Sequence, residues 1–146
     1  MEFTSQSQSY CQGTVNKEIV NIYLEDETIV AIPNGDISEM IEYAKPATFG
    51  KNSENTLDPE YRSAKYIDSG NYVLDFDPYN YDIVNIISDQ MGDIRLERDK
   101  LNLYGVDDFF NLHKDTPKSS DMIGTLVVCL PYNFTGGEFH YNINIY

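Results

Sequence analysis

The chain has 146 residues, enough for one ordinary domain with its own core, and its 41% hydrophobic content with 12 Tyr and 7 Phe marks an ordered globular protein. Its formal net charge is −14, from 24 acidic against 10 basic residues, which argues against nucleic acid or an anionic membrane as partner, because phosphate affinity rests on clustered Lys and Arg. Cys11 and Cys129 suggest neither a disulfide framework nor a zinc site, and neither a signal peptide nor an apolar run of about eighteen residues is present, so the expectation is a soluble intracellular protein, cytoplasmic or nuclear.

Residues 1–17 are polar and are expected to form a disordered leader, with the folded domain running over 18–146. Residues 19–24 and 28–32 are β-rich runs separated by the acidic turn Glu25-Asp26-Glu27, the pattern of a hairpin. Asn34-Gly35-Asp36 breaks the second run, and Asp36 can cap a short helix through Ile37, Met40, Ile41 and Ala44 that stops before Pro46. Residues 47–71 read as a long polar connection. In 82–91, Ile83, Ile86, Ile87 and Met91 recur at helical spacing and Gly92 supplies the stop.

Three strands are predicted beyond that helix. The first, over 99–106, carries Leu101 and Leu103. The second, over 124–130, is apolar on both faces around Val127, Val128 and Cys129 and is expected to be covered on both sides. The third, over 139–146, sets Phe139, Tyr141, Ile143 and Ile145 against His140, Asn142, Asn144 and Tyr146. The fold class is therefore α+β, mainly β, with a hairpin and one or two helices in 18–98 and the later strands in 99–146.

One short motif could carry chemistry. In an extended segment residues i and i+2 project to the same side, so the imidazole and carboxylate of His113-Lys114-Asp115 can converge on one metal ion. A third ligand would complete the facial triad of a non-haem iron site, with open positions for oxygen and a chelating cosubstrate. The spacing by itself is common in so acidic a chain, and a loop ion pair or cap is the plainer explanation of it.

The surrounding residues make a longer pattern. Lys100-Leu101-Asn102-Leu103-Tyr104-Gly105, Phe109-Phe110-Asn111-Leu112 and His113-Lys114-Asp115-Thr116-Pro117 follow one another, then 122–131 and Phe134-Thr135-Gly136-Gly137-Glu138-Phe139. Together with Ala44-Lys45-Pro46-Ala47-Thr48-Phe49-Gly50 and Leu57-Asp58-Pro59-Glu60-Tyr61-Arg62 upstream, this resembles the prolyl 4-hydroxylase-like 2-oxoglutarate/Fe(II)-dependent dioxygenases of fungi and other eukaryotes. The resemblance implies an oxidoreductase that hydroxylates a C–H bond with Fe(II), O2 and 2-oxoglutarate, and the front half of a double-stranded β-helix, or jelly roll. It makes His113 and Asp115 the first two iron ligands. Tyr104 matches the strand tyrosine that binds the far carboxylate of 2-oxoglutarate, although an aromatic core residue would look the same. Phe109 and Phe110 are expected to pack the ligand loop, and Gly136-Gly137 to make a turn between strands.

The family's distal His and the basic residue that follows it have no counterpart. His140 is the one other histidine, on the strand after the glycine turn rather than the family's ligand strand, Glu138 is an unspecific alternative, and no Lys or Arg follows Lys118. A jelly roll needs about eight core strands, and after Gly92 there is room for about four. The expectation is a truncated member of the family whose open strand edge favours self-association, or a non-catalytic homologue or binding module. An unrelated β-rich interaction protein with a chance His-x-Asp is the third reading.

Overall fold

A computed structural model describes residues 2–7, 10–51 and 54–140. In chain order the strands are β1 (Glu2–Ser7), β2 (Tyr10–Thr14), β3 (Val20–Leu24), β4 (Ile29–Ile32), β5 (Lys45–Pro46), β6 (Phe49–Lys51), β7 (Glu54–Thr56), β8 (Arg62–Ser63), β9 (Lys65–Asp68), β10 (Tyr72–Leu74), β11 (Lys100–Leu103) and β12 (Phe109–Phe110). The helices are α1 (Ser38–Tyr43) and α2 (Ile83–Met91). The protein is thus mainly β with two α-helices among the described residues, and its strands pair antiparallel. The chain divides into two compact units, each described by itself below. Unit 1 comprises Met1–Ile37, Asp68–Asp99 and Leu130–Tyr132, and unit 2 comprises Ser38–Ile67, Lys100–Cys129 and Asn133–Tyr146.

Unit 1 is built on the expected hairpin. Along β3, Val20, Ile22 and Leu24 are buried while Tyr23 is exposed, the alternation of a strand with one covered face. The register pairs Val20 with Ile32 and Ile22 with Val30. In the turn, the Leu24 N–H donates to the Thr28 carbonyl at 2.9 Å and the Thr28 N–H to Asp26 Oδ1 at 3.1 Å, with Glu27 in the left-handed region at φ 70°. β10 adds to the other side of β3, Tyr72 opposite Leu24 and Leu74 opposite Ile22, so that β3 is central in the order β10-β3-β4.

Just past β10, Asp75 is tied to β3 from both ends of its carboxylate. Asn21 donates its N–H to Oδ1 at 2.9 Å and its side-chain amide to Oδ2 at 2.6 Å, and Lys17 Nζ lies 3.4 Å from Oδ1. The Asn21 main-chain hydrogen bond above all, with smaller help from the Asn21 amide and Lys17, holds the Asp75 carboxyl below its ordinary pKa. The Tyr72 phenol is pushed up, chiefly by burial and partly offset by the nearby Arg98 charge.

A 3-10 turn, Pro78–Tyr81, precedes α2, its first N–H groups capped by Asp77, whose carboxylate accepts from the Tyr79 N–H at 3.0 Å. The helix buries Ile83, Val84 and Ile87, and Gly92 ends it at φ 87° with its N–H on the Ser88 carbonyl at 2.9 Å. At ψ 175° that position suits only glycine. The leader, expected to be disordered, pairs β1 with β2 across a bulge between Ser5 and Ser7. A ladder uses main-chain donors and acceptors, so polar composition does not prevent it.

Unit 2 holds α1 and the rest of the sheets. α1 buries Met40, and the Ala44 N–H extends it onto the Met40 carbonyl at 3.1 Å. The order β5-β9-β11 makes a three-stranded sheet, with β8 paired to β12 and β6 to β7. Residues 47–71, expected as a polar connection, therefore supply four strands, β6 to β9. Their burial rests on single positions such as Arg62 and Ile67, too few to give a hydrophobic period, and both β8 and β9 pair with residues far along the chain.

Of the three closing strands, the first forms as β11. The inner strand expected over 124–130 does not: that segment is irregular, with Val127 62% and Val128 40% exposed. Composition alone cannot make a buried strand, because a neighbouring ladder must take its main-chain groups and cover its faces, and none among the described residues lies beside it. Residues 134–140 are likewise irregular, with Gly136 and Gly137 at φ 77° and 71°, while 141–146, the remainder of the third expected strand, lie outside the described residues. Among the described residues no helix is long and apolar enough to cross a membrane.

Candidate functional site

The site lies in unit 2 and begins with β12, which sets Phe110 opposite Arg62 and Phe109 opposite Ser63. A turn leads into it: the Gly105 N–H donates to Asp108 Oδ2 at 2.8 Å, Asp107 sits at φ 63°, and Ser63 Oγ donates to Asp108 Oδ1. Beyond β12 the chain stays fastened to the segment before β8. The Asn111 N–H donates to the Tyr61 carbonyl at 3.0 Å, and Tyr61 Oη donates to the Leu112 carbonyl at 3.2 Å. Phe49, Tyr61 and Phe110 pack together beneath, with Tyr61 edge-on to Phe110 at 6.0 Å between centroids and Phe49 4.3 Å from Tyr61. These contacts anchor the chain up to Leu112, immediately before His113, and Phe110 is the packing residue expected of it, while Phe109 is 40% exposed.

His113 lies flat on Phe110, ring centroids 3.6 Å apart and 21° between planes. Its Nδ1 is 2.8 Å from the Asn111 carbonyl oxygen and its Nε2 is 3.3 Å from Asp115 Oδ1. A carbonyl oxygen only accepts, so Nδ1 carries a proton. Nε2 then faces a carboxylate oxygen, and two lone pairs at that distance repel unless a positive charge stands between them, either a proton on Nε2 or a metal ion. The other carboxylate oxygen, Oδ2, accepts from Thr125 Oγ1 at 2.5 Å, which fixes the plane of Asp115. The His113 side chain is 32% exposed and that of Asp115 51%, so the pair is reachable from solvent.

For the remaining expected site residues no direct contact with this pair is seen among the described residues. Tyr104 lies just past the end of β11, 49% exposed, and among the described residues no hydrogen bond or ring contact links it to His113 or Asp115. His140 and Glu138 are exposed, and among the described residues no three His, Cys, Asp or Glu side chains group so as to hold a metal ion.

Arg62 is the residue that sequence reasoning missed. It is 9% exposed and donates from its two terminal nitrogens to the Thr48 carbonyl at 2.7 Å and to Asn102 Oδ1 at 2.9 Å, while its buried Nε has no partner among the described residues. Its guanidinium carbon stands 4.4 Å from the centroid of Phe110. Nothing local marked it, because an arginine between Tyr61 and Ser63 in a polar stretch reads as a surface residue.

Compared with family models, with curated proteins and with solved structures, the chain matches none.

Proposed function

We propose that His113 and Asp115 are two ligands of an Fe(II) site, and that the chain is a domain of a prolyl 4-hydroxylase-like, 2-oxoglutarate-dependent dioxygenase. The observation that carries this is the 3.3 Å approach of His113 Nε2 to Asp115 Oδ1 with Nδ1 already committed to the Asn111 carbonyl. Metal-bound histidines characteristically spend their second nitrogen in this way, fixing the tautomer that offers a lone pair to the ion. Neighbouring ligands of an octahedral ion bonded at about 2.1 Å stand about 3.0 Å apart, so the pair needs little movement to accept one.

Two donors fit the ion, and the described residues supply no third. In enzymes of the proposed kind, iron and 2-oxoglutarate supply oxidative decarboxylation coupled to hydroxylation of a C–H bond. The part assigned to this chain is narrower. His113 offers Nε2, Asp115 offers Oδ1 with its plane held by Thr125, and Tyr104 is the donor proposed for the far carboxylate of 2-oxoglutarate. The jelly-roll arrangement belongs to the same proposal, with 124–130 taking strand form when a neighbouring strand covers it. A reducing compartment, cytoplasm or nucleus, suits ferrous iron.

The test is an anaerobic Fe(II) titration with and without 2-oxoglutarate, read by the charge-transfer band and by succinate release on admitting O2. Binding that disappears in both His113→Ala and Asp115→Ala is expected. Unchanged binding in His113→Ala, or no binding by the parent chain, would leave the pair as a side-chain contact with no metal between its members. Binding without succinate would make the chain a metal-binding module rather than an enzyme.

A further inference from the structure

We propose, building on the ligand role of His113, that Arg62 is a positioning residue that sets the orientation and tautomer of the His113 imidazole through Phe110. A buried guanidinium without a carboxylate is costly, and among the described residues this one is kept by two neutral acceptors and an aromatic face. Thr48 and Asn102 come from different segments, so the fork between them fixes the guanidinium plane. Arg62 and Phe110 are direct cross-strand partners of β8 and β12, which places the cation over the ring.

The guanidinium carbon lies 4.4 Å and the imidazole centroid 3.6 Å from the same ring centroid. On one face they would overlap, so Phe110 is held between them. The imidazole plane is thereby dictated from the far side of Phe110, and with that plane set, Nδ1 meets the Asn111 carbonyl and Nε2 meets Asp115. Charge and geometry act in opposite directions here. A fixed positive charge behind the ring repels a metal ion, whereas a fixed ring plane favours one, so the sign of the effect on affinity tells which dominates.

The experiment uses the full chain, metal-free, at about pH 8, where an ordinary imidazole is neutral. Long-range proton–nitrogen correlation spectra of His113, assigned with His140→Gln, report which nitrogen is protonated. The parent chain and Phe110→Tyr are expected to keep a proton on Nδ1, facing the Asn111 carbonyl, with or without a second one on Nε2 facing Asp115. Arg62→Met and Phe110→Leu are expected to revert toward the Nε2–H form favoured by a free imidazole. Retention of the Nδ1 proton in folded Arg62→Met overturns the proposal, and if Arg62→Met does not fold, Arg62→Lys, which keeps the charge and loses the planar fork, takes its place. A second arm titrates Co(II): Arg62→Met should lose about 10- to 100-fold in affinity, the usual effect of removing support behind a ligand. A gain in affinity would mean that charge, not positioning, is what Arg62 contributes. A parent chain that binds no Co(II) counts against the metal reading and leaves the tautomer arm to judge Arg62.

Discussion

Replacing Ile22 by Ala removes three carbon atoms from the centre of the unit 1 sheet, where the side chain is 1% exposed and its strand is paired with Val30 on one side and Leu74 on the other. At about 0.8 kcal/mol per buried methylene, the transfer loss is about 2.4 kcal/mol. A central strand pinned on both sides cannot collapse fully into the gap, which raises the expected loss toward about 4 kcal/mol, within the range of about 2–5 for such truncations. Tyr23, the next residue, is 41% exposed and points to the other face, so Tyr23→Ala should lose less than about 1 kcal/mol. Urea unfolding followed by far-ultraviolet dichroism measures both, as a shift in midpoint at unchanged slope. A loss at Tyr23 equal to or larger than that at Ile22 would refute the pleat and register, because a slip of one residue exchanges the two faces.

Gly92→Ala meets no atom within 4 Å, so its cost is backbone strain alone, about 1–3 kcal/mol in a thermal melt. Asp75 is held below its ordinary pKa in the fold, so its contribution is present above the unfolded carboxylate value of about 3.9 and is lost as pH falls through the lower folded value; Asp75→Asn should flatten the acid limb of stability against pH. Tyr72 is shifted upward, so its contribution is present below the ordinary phenol value of about 10 and is lost as pH rises through the raised one, a loss that Tyr72→Phe should abolish in alkaline unfolding. A Cβ at Gly50 would stand 2.6 Å from Thr116 Oγ1 and 3.2 Å from Thr116 Cβ, so Gly50→Ala must displace the neighbour of Asp115. Metal affinity should fall in that variant and recover in Gly50→Ala/Thr116→Gly.

The elements most legible in advance are those with a clear hydrophobic period within one short window. Val20, Ile22 and Leu24 alternate within one strand, and an acidic turn of three residues returns the chain to β4, so one short window contains the whole hairpin. α2 is similar, with its buried residues one turn apart and Gly92 at its end. β8, β9, β10 and β12 were invisible because each is short and pairs with a distant segment. The run 124–130 failed in the opposite direction: its composition promised burial that no described neighbour provides.

By itself the sequence determined that a carboxylate two residues beyond an imidazole can share its side of an extended segment, and that the aromatic pair Phe109-Phe110 is placed to pack the loop that carries them. Which nitrogen of His113 faces Asp115 was decided only by tertiary structure. Tyr61, 51 residues before Leu112, fastens the loop, and Arg62 reaches Phe110 from the paired strand. The physical reason is that residue spacing limits where a ring can be, whereas the tautomer and plane of that ring follow from a carbonyl on one edge and a stacked face beneath, and the groups behind that face come from far away in the chain.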